Sequence, residues 1–303
     1  MTDPSQPRDS HVDGAPGFTS TEQEIVIHRR SGGKDIYLRG MLYMPLGSET
    51  DPEEGYHPYR VPCVVCAHAL NAGFTSLINY AIPLAERGYA SLVFDFYGAR
   101  EGGESGGDTK DLSLETQEED LEAIFDYLMF QSWCDPDLIY LLAEANGANA
   151  AITFAGDHPT WVRSLALMYP MAQLHDEMVE AFGDGRRAPK AFRYQGTLVS
   201  DRFALEAIWR DPLEKASHYP GRTLIIHGSE DTVTPLVDAA RLADAFPDPQ
   251  LKVIEGAGHD FITYGSQIAT KWVIDFFNEQ LAISEDERNF LPLIRDVERR
   301  MHL

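Results

Sequence analysis

The segment Asp137–Ala155 reads DLIYLLAEANGANAAITFA, and it decides the fold because an apolar strand turns directly into an Ala- and Gly-rich helix. The corner is AEANG, residues 143–147. It has the layout of a nucleophile elbow, G-x-S-x-G, in which a sharp strand-to-helix turn lifts one side chain above the sheet between two small residues. Ala143 and Gly147 are those small residues. Ala145 occupies the serine position, and its methyl group cannot attack a carbonyl carbon.

Composition and charge limit the class of protein. The chain has 303 residues, 44% of them hydrophobic and 11% aromatic, which suits one large α/β domain with a well-buried core. A net charge of -23 and a pI near 4.7 repel phosphate backbones and anionic lipid headgroups, so we expect neither nucleic acid nor a membrane as a partner. The sequence contains neither the apolar core of a signal peptide nor an apolar run of roughly 18 residues. It predicts a soluble, cytoplasmic protein.

Short apolar runs alternate with helical patterns, and this alternation predicts a mostly parallel sheet covered by helices on both faces. An antiparallel pair, residues 24–28 and 36–43, is expected at one edge of the sheet. The pattern breaks down over residues 171–205, which we interpret as an insertion above the sheet. Residues 1–20 are rich in Pro, Gly, Ser and Asp and are expected to be disordered.

The remaining domain is predicted to cover residues 21–282. The charged segment 283–303 is expected to be a helical extension that packs on the domain or on a partner subunit, as in a homodimer.

The three cysteines do not predict a redox or metal site. Cys63 and Cys66 form C-x-x-C, but they lie in a strand pattern where positions three apart face opposite sides of the sheet. We interpret them, with Cys134, as small core residues. The glycine-rich loop YGAREGGESGGD, residues 97–108, lacks the Lys-Ser/Thr of a phosphate-binding loop. The sequence therefore predicts no cofactor and no metal.

Two later loops carry residues suited to acid–base chemistry. HGSEDTVTP, residues 227–235, places Asp231 after a predicted strand, and GAGHDF, residues 256–261, places His259 after the next one. Loops at the carboxyl ends of parallel strands share one rim of the sheet, so Ala145, Asp231 and His259 are expected to converge there. The order along the chain is elbow, acid, histidine.

Five motifs occur in order, namely CAHALN (66–71), FDFYG (94–98), AEANGA (143–148), HGSEDTVTP and GAGHDF. On these motifs the chain resembles the α/β-hydrolase superfamily over roughly residues 24–282. It is most similar to cinnamoyl/feruloyl esterase-like and serine-aminopeptidase-like carboxyl-ester hydrolases. The resemblance implies an α/β-hydrolase fold, with a mostly parallel eight-stranded sheet, helices on both faces and a small cap formed by residues 171–205.

The resemblance also implies roles for individual residues. Asp231 would orient His259, which would act as general base and then as general acid. The backbone amides of Leu70 and Asn146 would form the oxyanion hole. His68 would be structural, and the ligand would be a small-molecule ester or an aromatic acyl compound.

The chain departs from this family pattern at three positions. Ala145 replaces the serine, Ala69 replaces a glycine beside the oxyanion hole, and Ala148 replaces a second glycine after the elbow. Hydrolysis by the chain as written is therefore expected to be absent or very low.

Three hypotheses about function remain at the level of sequence. The chain is an inactivated ester hydrolase, or a pseudo-enzyme that binds a small acyl or aromatic ligand. In the third hypothesis Asp231 and His259 remove a proton from a bound substrate, as in cofactor-free lyases and oxygenases of the same fold. Against all three stands a purely structural interpretation. In it Asp231 caps the helix that starts at Pro235, and His259 is an ordinary loop residue.

Overall fold

The computed structural model describes residues 20–45, 60–262 and 264–301, with side chains described as far as residue 284. The segment predicted to be disordered lies outside these residues except for Ser20. The strands are β1 (Ser20–Ser31), β2 (Lys34–Pro45), β3 (Val61–Ala67), β4 (Ala90–Phe94), β5 (Cys134–Glu144), β6 (Leu165–Met168), β7 (Ala191–Tyr194), β8 (Thr197–Ser200), β9 (Thr223–Gly228) and β10 (Pro249–Ile254). The helices are α1 (Ile78–Ala85), α2 (Leu114–Met129), α3 (Ala145–Asp157), α4 (Leu174–Phe182), α5 (Asp201–Trp209), α6 (Pro212–His218), α7 (Leu236–Ala245) and α8 (Tyr264–Met301).

The main sheet of the described residues has eight strands in the order β1-β2-β4-β3-β5-β6-β9-β10. β1 pairs with β2 and β2 with β4 in the antiparallel direction, and all other neighbours are parallel. The predicted eight-stranded, mostly parallel sheet with an antiparallel edge is confirmed. β5 lies between β3 and β6, so the corner that follows it is at the middle of the rim.

Helices cover both faces of the sheet, as the apolar strands require. Along β3 the side chains alternate between two cores, with Cys63 and Val65 in one and Val64 and Cys66 in the other. The first core is closed by α2, α3 and α7, and the second by α1, α4, α5 and α8. Strands buried on both faces explain the continuous apolar runs in the sequence.

The chain between β6 and β9 forms the insertion above the sheet. It contains α4, the antiparallel β7–β8 hairpin and α5, whereas α6, the last helix before β9, packs with α3 and α7 on the first core. The hairpin turns at Gln195 and Gly196, both with positive φ. α5 continues to Trp209, so the helical part of the insertion extends past the predicted boundary at residue 205. α8 runs without a break from Tyr264 to Met301, through the segment that the sequence suggested as a separate extension.

The three cysteines are buried in the sheet. The Sγ atoms of Cys63 and Cys134 lie 3.1 Å apart across the start of two neighbouring strands, a proximity that the sequence did not predict. Among the described residues, no group of three His, Cys, Asp or Glu side chains is arranged to hold a metal ion. No helix in the described ranges is both long and apolar enough to span a membrane.

Candidate active site

The corner after β5 has the backbone of a nucleophile elbow. Ala145 is the first residue of α3 and has φ of +45°, a left-handed conformation that is strained for any residue with a Cβ atom. Two residues later, a Cβ atom on Gly147 would lie 2.4 Å from the carbonyl oxygen of His68 and 2.7 Å from that of Ala67. Only glycine fits there. The corner therefore presses the start of α3 against the end of β3.

The structure brings Asp231 and His259 together. The Nδ1 atom of His259 lies 2.8 Å from Oδ2 of Asp231, whose side chain is fully buried, while the His259 side chain is 16% exposed. Asp231 also accepts hydrogen bonds from the backbone amides of Val233 and Thr234 and from the Thr234 hydroxyl, at 2.8, 2.9 and 2.7 Å. Asp231 thus closes the turn before α7 and holds the histidine at the same time.

The surroundings of Asp231 favour its charged form. Burial acts to raise the pKa of Asp231, but the hydrogen bonds from Thr234, His259 and Val233 outweigh it and hold the pKa below the ordinary value. A second histidine, His227, contacts the Thr234 carbonyl at 2.7 Å, and burial lowers the pKa of His227. An ionised Asp231 therefore faces His259 and orients its ring, with Nε2 left for a ligand.

The proposed oxyanion donors lie at two places beside the elbow. Leu70 is in the turn after β3 and lines the same cavity as Ala145 and His259. Asn146 is the second residue of α3, where backbone amides have no acceptor within the helix. Its side chain is buried and donates to Oε1 of Gln117 at 3.2 Å, and Ala145 just before it lines the cavity.

His68 has a structural place in this turn. Its Nε2 accepts a hydrogen bond from the Phe96 amide at 3.0 Å, and its Nδ1 therefore carries the proton that it donates to the Ala69 carbonyl at 2.7 Å. Burial lowers the pKa of His68. The ring is neutral, and it ties the turn after β3 to the end of β4.

A cavity of about 540 Å³ opens between the elbow and the insertion. The sequence predicted an apolar pocket lined by Leu70 and by the insertion. Leu70, Met171 and Gln195 do line it, but much of the remaining lining is polar. The polar side chains that sequence reasoning missed are Ser76, Asn79, Tyr80, Glu144, Tyr169, Asp260 and Ser266.

Glu144 is the most unusual of these residues, because its carboxylate is buried beside the turn after β3. The residue is 4% exposed. Its Oε1 accepts hydrogen bonds from the Ser76 hydroxyl at 2.6 Å and the Ala69 amide at 3.2 Å, and its Oε2 accepts from the Tyr169 hydroxyl at 2.6 Å. The sequence did carry a signal, since an acidic residue ends the otherwise apolar run of β5.

Tyr169 connects the two halves of the site. Its ring centroid lies 4.6 Å from that of His259, and its φ of +38° is a second strained backbone position at the rim. Burial raises the pKa of Tyr169 and of Tyr80, and the charge of Glu144 raises both further. Both phenols therefore keep their protons, and that of Tyr169 is donated to Glu144.

Solved structures share this fold. Est1E from Butyrivibrio proteoclasticus with bound ferulic acid has 20% sequence identity and a TM-score of 0.72, over 84% of this chain and 99% of that one. The monoacylglycerol lipase of Paleococcus ferrophilus has 15% identity and a TM-score of 0.60, over 73% and 97%. The α/β hydrolase GrgF from Penicillium sp. sh18 has 15% identity and a TM-score of 0.64, over 87% and 99%. These likenesses establish the α/β-hydrolase fold.

Comparison of the sequence with known families gives a more specific result. No curated protein sequence matches the chain. The model of the prolyl oligopeptidase family, peptidase S9, matches residues 75–284, which is more than two thirds of the chain and includes the elbow, Asp231 and His259. With the α/β-hydrolase fold and this match, the chain belongs to the prolyl oligopeptidase family.

Proposed function

We propose that this chain binds a small ester or aromatic acyl ligand in the cavity and forms no acyl-enzyme. The observation that carries the proposal is Ala145 at the elbow, in the same cavity as His259, which is paired with Asp231. Covalent ester hydrolysis needs a hydroxyl or thiol that the histidine can activate, and a methyl group provides neither. Est1E, which has the same fold, binds ferulic acid, so this fold can hold an aromatic ring of that size.

The charge beside the elbow supports a function other than ester hydrolysis. In a serine esterase, negative charge develops on the substrate oxygen beside the oxyanion amides. Here the buried Glu144 carboxylate accepts a hydrogen bond from the Ala69 amide, next to Leu70 in the same turn. A carboxylate at this place opposes a developing oxyanion. The site therefore differs from an esterase in its electrostatics as well as in its nucleophile.

A second function is favoured by the intact pair of Asp231 and His259. The pair has the geometry of a general base, with Asp231 buried and held by three further hydrogen bonds. In this function His259 removes a proton from the bound ligand. The amides of Leu70 and Asn146 face the oxygen that becomes negative and offset the opposing charge of Glu144. If Asp231 served only to close the turn before α7, His259 would not need to lie beside the cavity.

Turnover experiments test both functions. With p-nitrophenyl acetate and hydroxycinnamate esters, we expect the unsubstituted chain to match the His259→Ala variant and to give no burst of product. A burst equal to the protein concentration would overturn the first proposal. For the second, exchange of the α protons of methyl 4-hydroxyphenylacetate in D₂O is followed by NMR. Exchange that His259→Ala abolishes supports general-base chemistry, and exchange that this variant leaves intact contradicts it.

A further inference from the structure

The buried carboxylate of Glu144 has no cationic partner in the described part of the chain. Its three hydrogen bonds come from two hydroxyls and one backbone amide, all neutral donors. Among the residues that line the cavity there, none is lysine or arginine. His68 is neutral for the reasons given above. His259 packs against the ring of Tyr169 and is already paired with Asp231.

A buried charge of this kind needs an explanation. Charged side chains in protein interiors are normally paired with an opposite charge or bound to a metal, because removing an ion from water is unfavourable. The Ser76 hydroxyl has one proton and two acceptors in reach, the Gly73 carbonyl at 3.0 Å and Oε1 of Glu144 at the shorter distance of 2.6 Å. Donated to Glu144, this proton joins those of the Ala69 amide and the Tyr169 hydroxyl in the pattern of an ionised carboxylate, which is an acceptor only. The missing partner is then a positive charge that enters from the cavity.

We propose that the ester or aromatic acyl ligand of this cavity also carries an ammonium group, with Glu144 as its counter-ion. This inference rests on the proposed function in one respect, namely that the cavity is the ligand site. It goes further in assigning the charge of the ligand. Asp260 adds a second carboxylate at the rim. It lies 3.7 Å from Nε2 of His259 and is 72% exposed, so the entrance of the cavity carries negative charge, as Glu144 does inside it.

The geometry of the cavity suits an ammonium group. A carboxylate offers about four acceptor directions, and the three donors to Glu144 leave one open. Tyr80 and Tyr169 line the same cavity, and aromatic rings attract cations. A ligand with a carboxylate would instead bring a like charge towards Glu144. The site thus selects amines over acids of the same shape.

Three ligands of nearly equal shape separate charge from size. Tyramine carries an ammonium group, tyrosol a hydroxyl and 4-hydroxyphenylacetate a carboxylate on the same phenol scaffold. By isothermal titration at pH 7 we expect tyramine to bind at least about tenfold more tightly than tyrosol, and 4-hydroxyphenylacetate to bind most weakly. Glu144→Gln keeps the shape of the side chain and should reduce the preference for tyramine over tyrosol to less than about threefold.

The chain offers a matched control. Glu177 on α4 accepts a hydrogen bond from the Tyr194 hydroxyl at 2.6 Å, as Glu144 does from Tyr169, but Glu177 does not line the cavity. Glu177→Gln should leave the order of the three ligands unchanged. If Glu144→Gln and Glu177→Gln alter the preference equally, the effect is general and the assignment of Glu144 is wrong.

Other outcomes also overturn the inference. Tyramine that fails to saturate the protein at about 10 mM would overturn it. So would 4-hydroxyphenylacetate that binds as tightly as tyramine. Failure of the proposed function is a separate result, because it is measured as an acyl-enzyme burst with neutral esters. A burst would refute the non-acylating site, and the order of the three ligands would still decide whether Glu144 recognises an amine.

Discussion

Introducing the missing hydroxyl by Ala145→Ser should restore ester hydrolysis only in part, and Glu144→Gln in that background should increase it. In triad hydrolases, loss of the serine removes on the order of 10⁶ in kcat because the three residues act as a unit. Ala145→Ser replaces that atom at an elbow whose backbone already has the required conformation. The charge of Glu144 remains, and it opposes the oxyanion.

The size of this opposition follows from the geometry. Oε1 of Glu144 lies 3.2 Å from the Ala69 amide, and the Leu70 amide that would hold the oxyanion is the next one along the chain. The two charges would be about 7 Å apart, and at an effective dielectric constant of about 20 they repel each other by roughly 2 kcal/mol. Removing the charge should therefore raise kcat/KM by about 30-fold.

The assay compares hydrolysis of p-nitrophenyl acetate by Ala145→Ser alone, by Ala145→Ser with Glu144→Gln, and by Ala145→Ser with Glu177→Gln. Only the Glu144 double variant should gain rate. A neutral ester is required, since a charged substrate would mix binding with the effect on the transition state. If the Glu144 double variant is no faster than Ala145→Ser and is still folded, the carboxylate does not act on the oxyanion and the electrostatic argument is refuted.

Three further predictions concern the scaffold. Gly147→Ala should lower the free energy of unfolding by about 2–3 kcal/mol or more, because its methyl group would meet the His68 carbonyl at 2.4 Å. Gly258→Ala, where the nearest atom is 3.9 Å away, is the control in urea unfolding, and equal losses would contradict the packing argument.

The pKa of Asp231 is lowered on folding, so its charge stabilises the fold above its ordinary pKa of 3.8, and this stabilisation is lost as the pH falls through the lower folded value. The deficit in Tm of Asp231→Asn should thus shrink between pH 5 and about pH 3, and a constant deficit would show that the charge is irrelevant.

Burial raises the pKa of the Cys63 and Cys66 thiols, and all three cysteines are buried, so a thiol reagent should label none of them before denaturation. Rapid labelling of the native protein would show that the sheet opens.

The parts of the fold that follow from local pattern could be predicted from sequence. Buried strands read as apolar runs and helices as a 3.6-residue period, so the order of elements and the parallel sheet were correct. The convergence of Ala145, Asp231 and His259 followed from topology, because carboxyl ends of parallel strands share a rim. Topology alone does not give the contact between His259 and Asp231, because that contact also depends on the rotamers of both side chains.

The polar half of the cavity could not be predicted, because its members come from separate elements. Ser76 precedes α1, Glu144 ends β5 and Tyr169 follows β6, and no sequence spacing relates them. Their hydrogen bonds depend on how the turn after β3 packs against the elbow. The contact between Cys63 and Cys134 could not be predicted for the same reason, because neighbouring strands bring together two residues that are far apart in the sequence.

Labelling of the Ala145→Ser variant by a fluorophosphonate, measured by intact mass and peptide mapping, tests the central claim most directly. The claim is that the site retains an oriented histidine and an elbow, and that Ala145 is what prevents formation of a covalent adduct. We predict one adduct, on the introduced serine, which disappears when His259→Ala is added and never forms on the unsubstituted chain. A folded Ala145→Ser protein that takes no label, or an unsubstituted chain that does, would contradict the account.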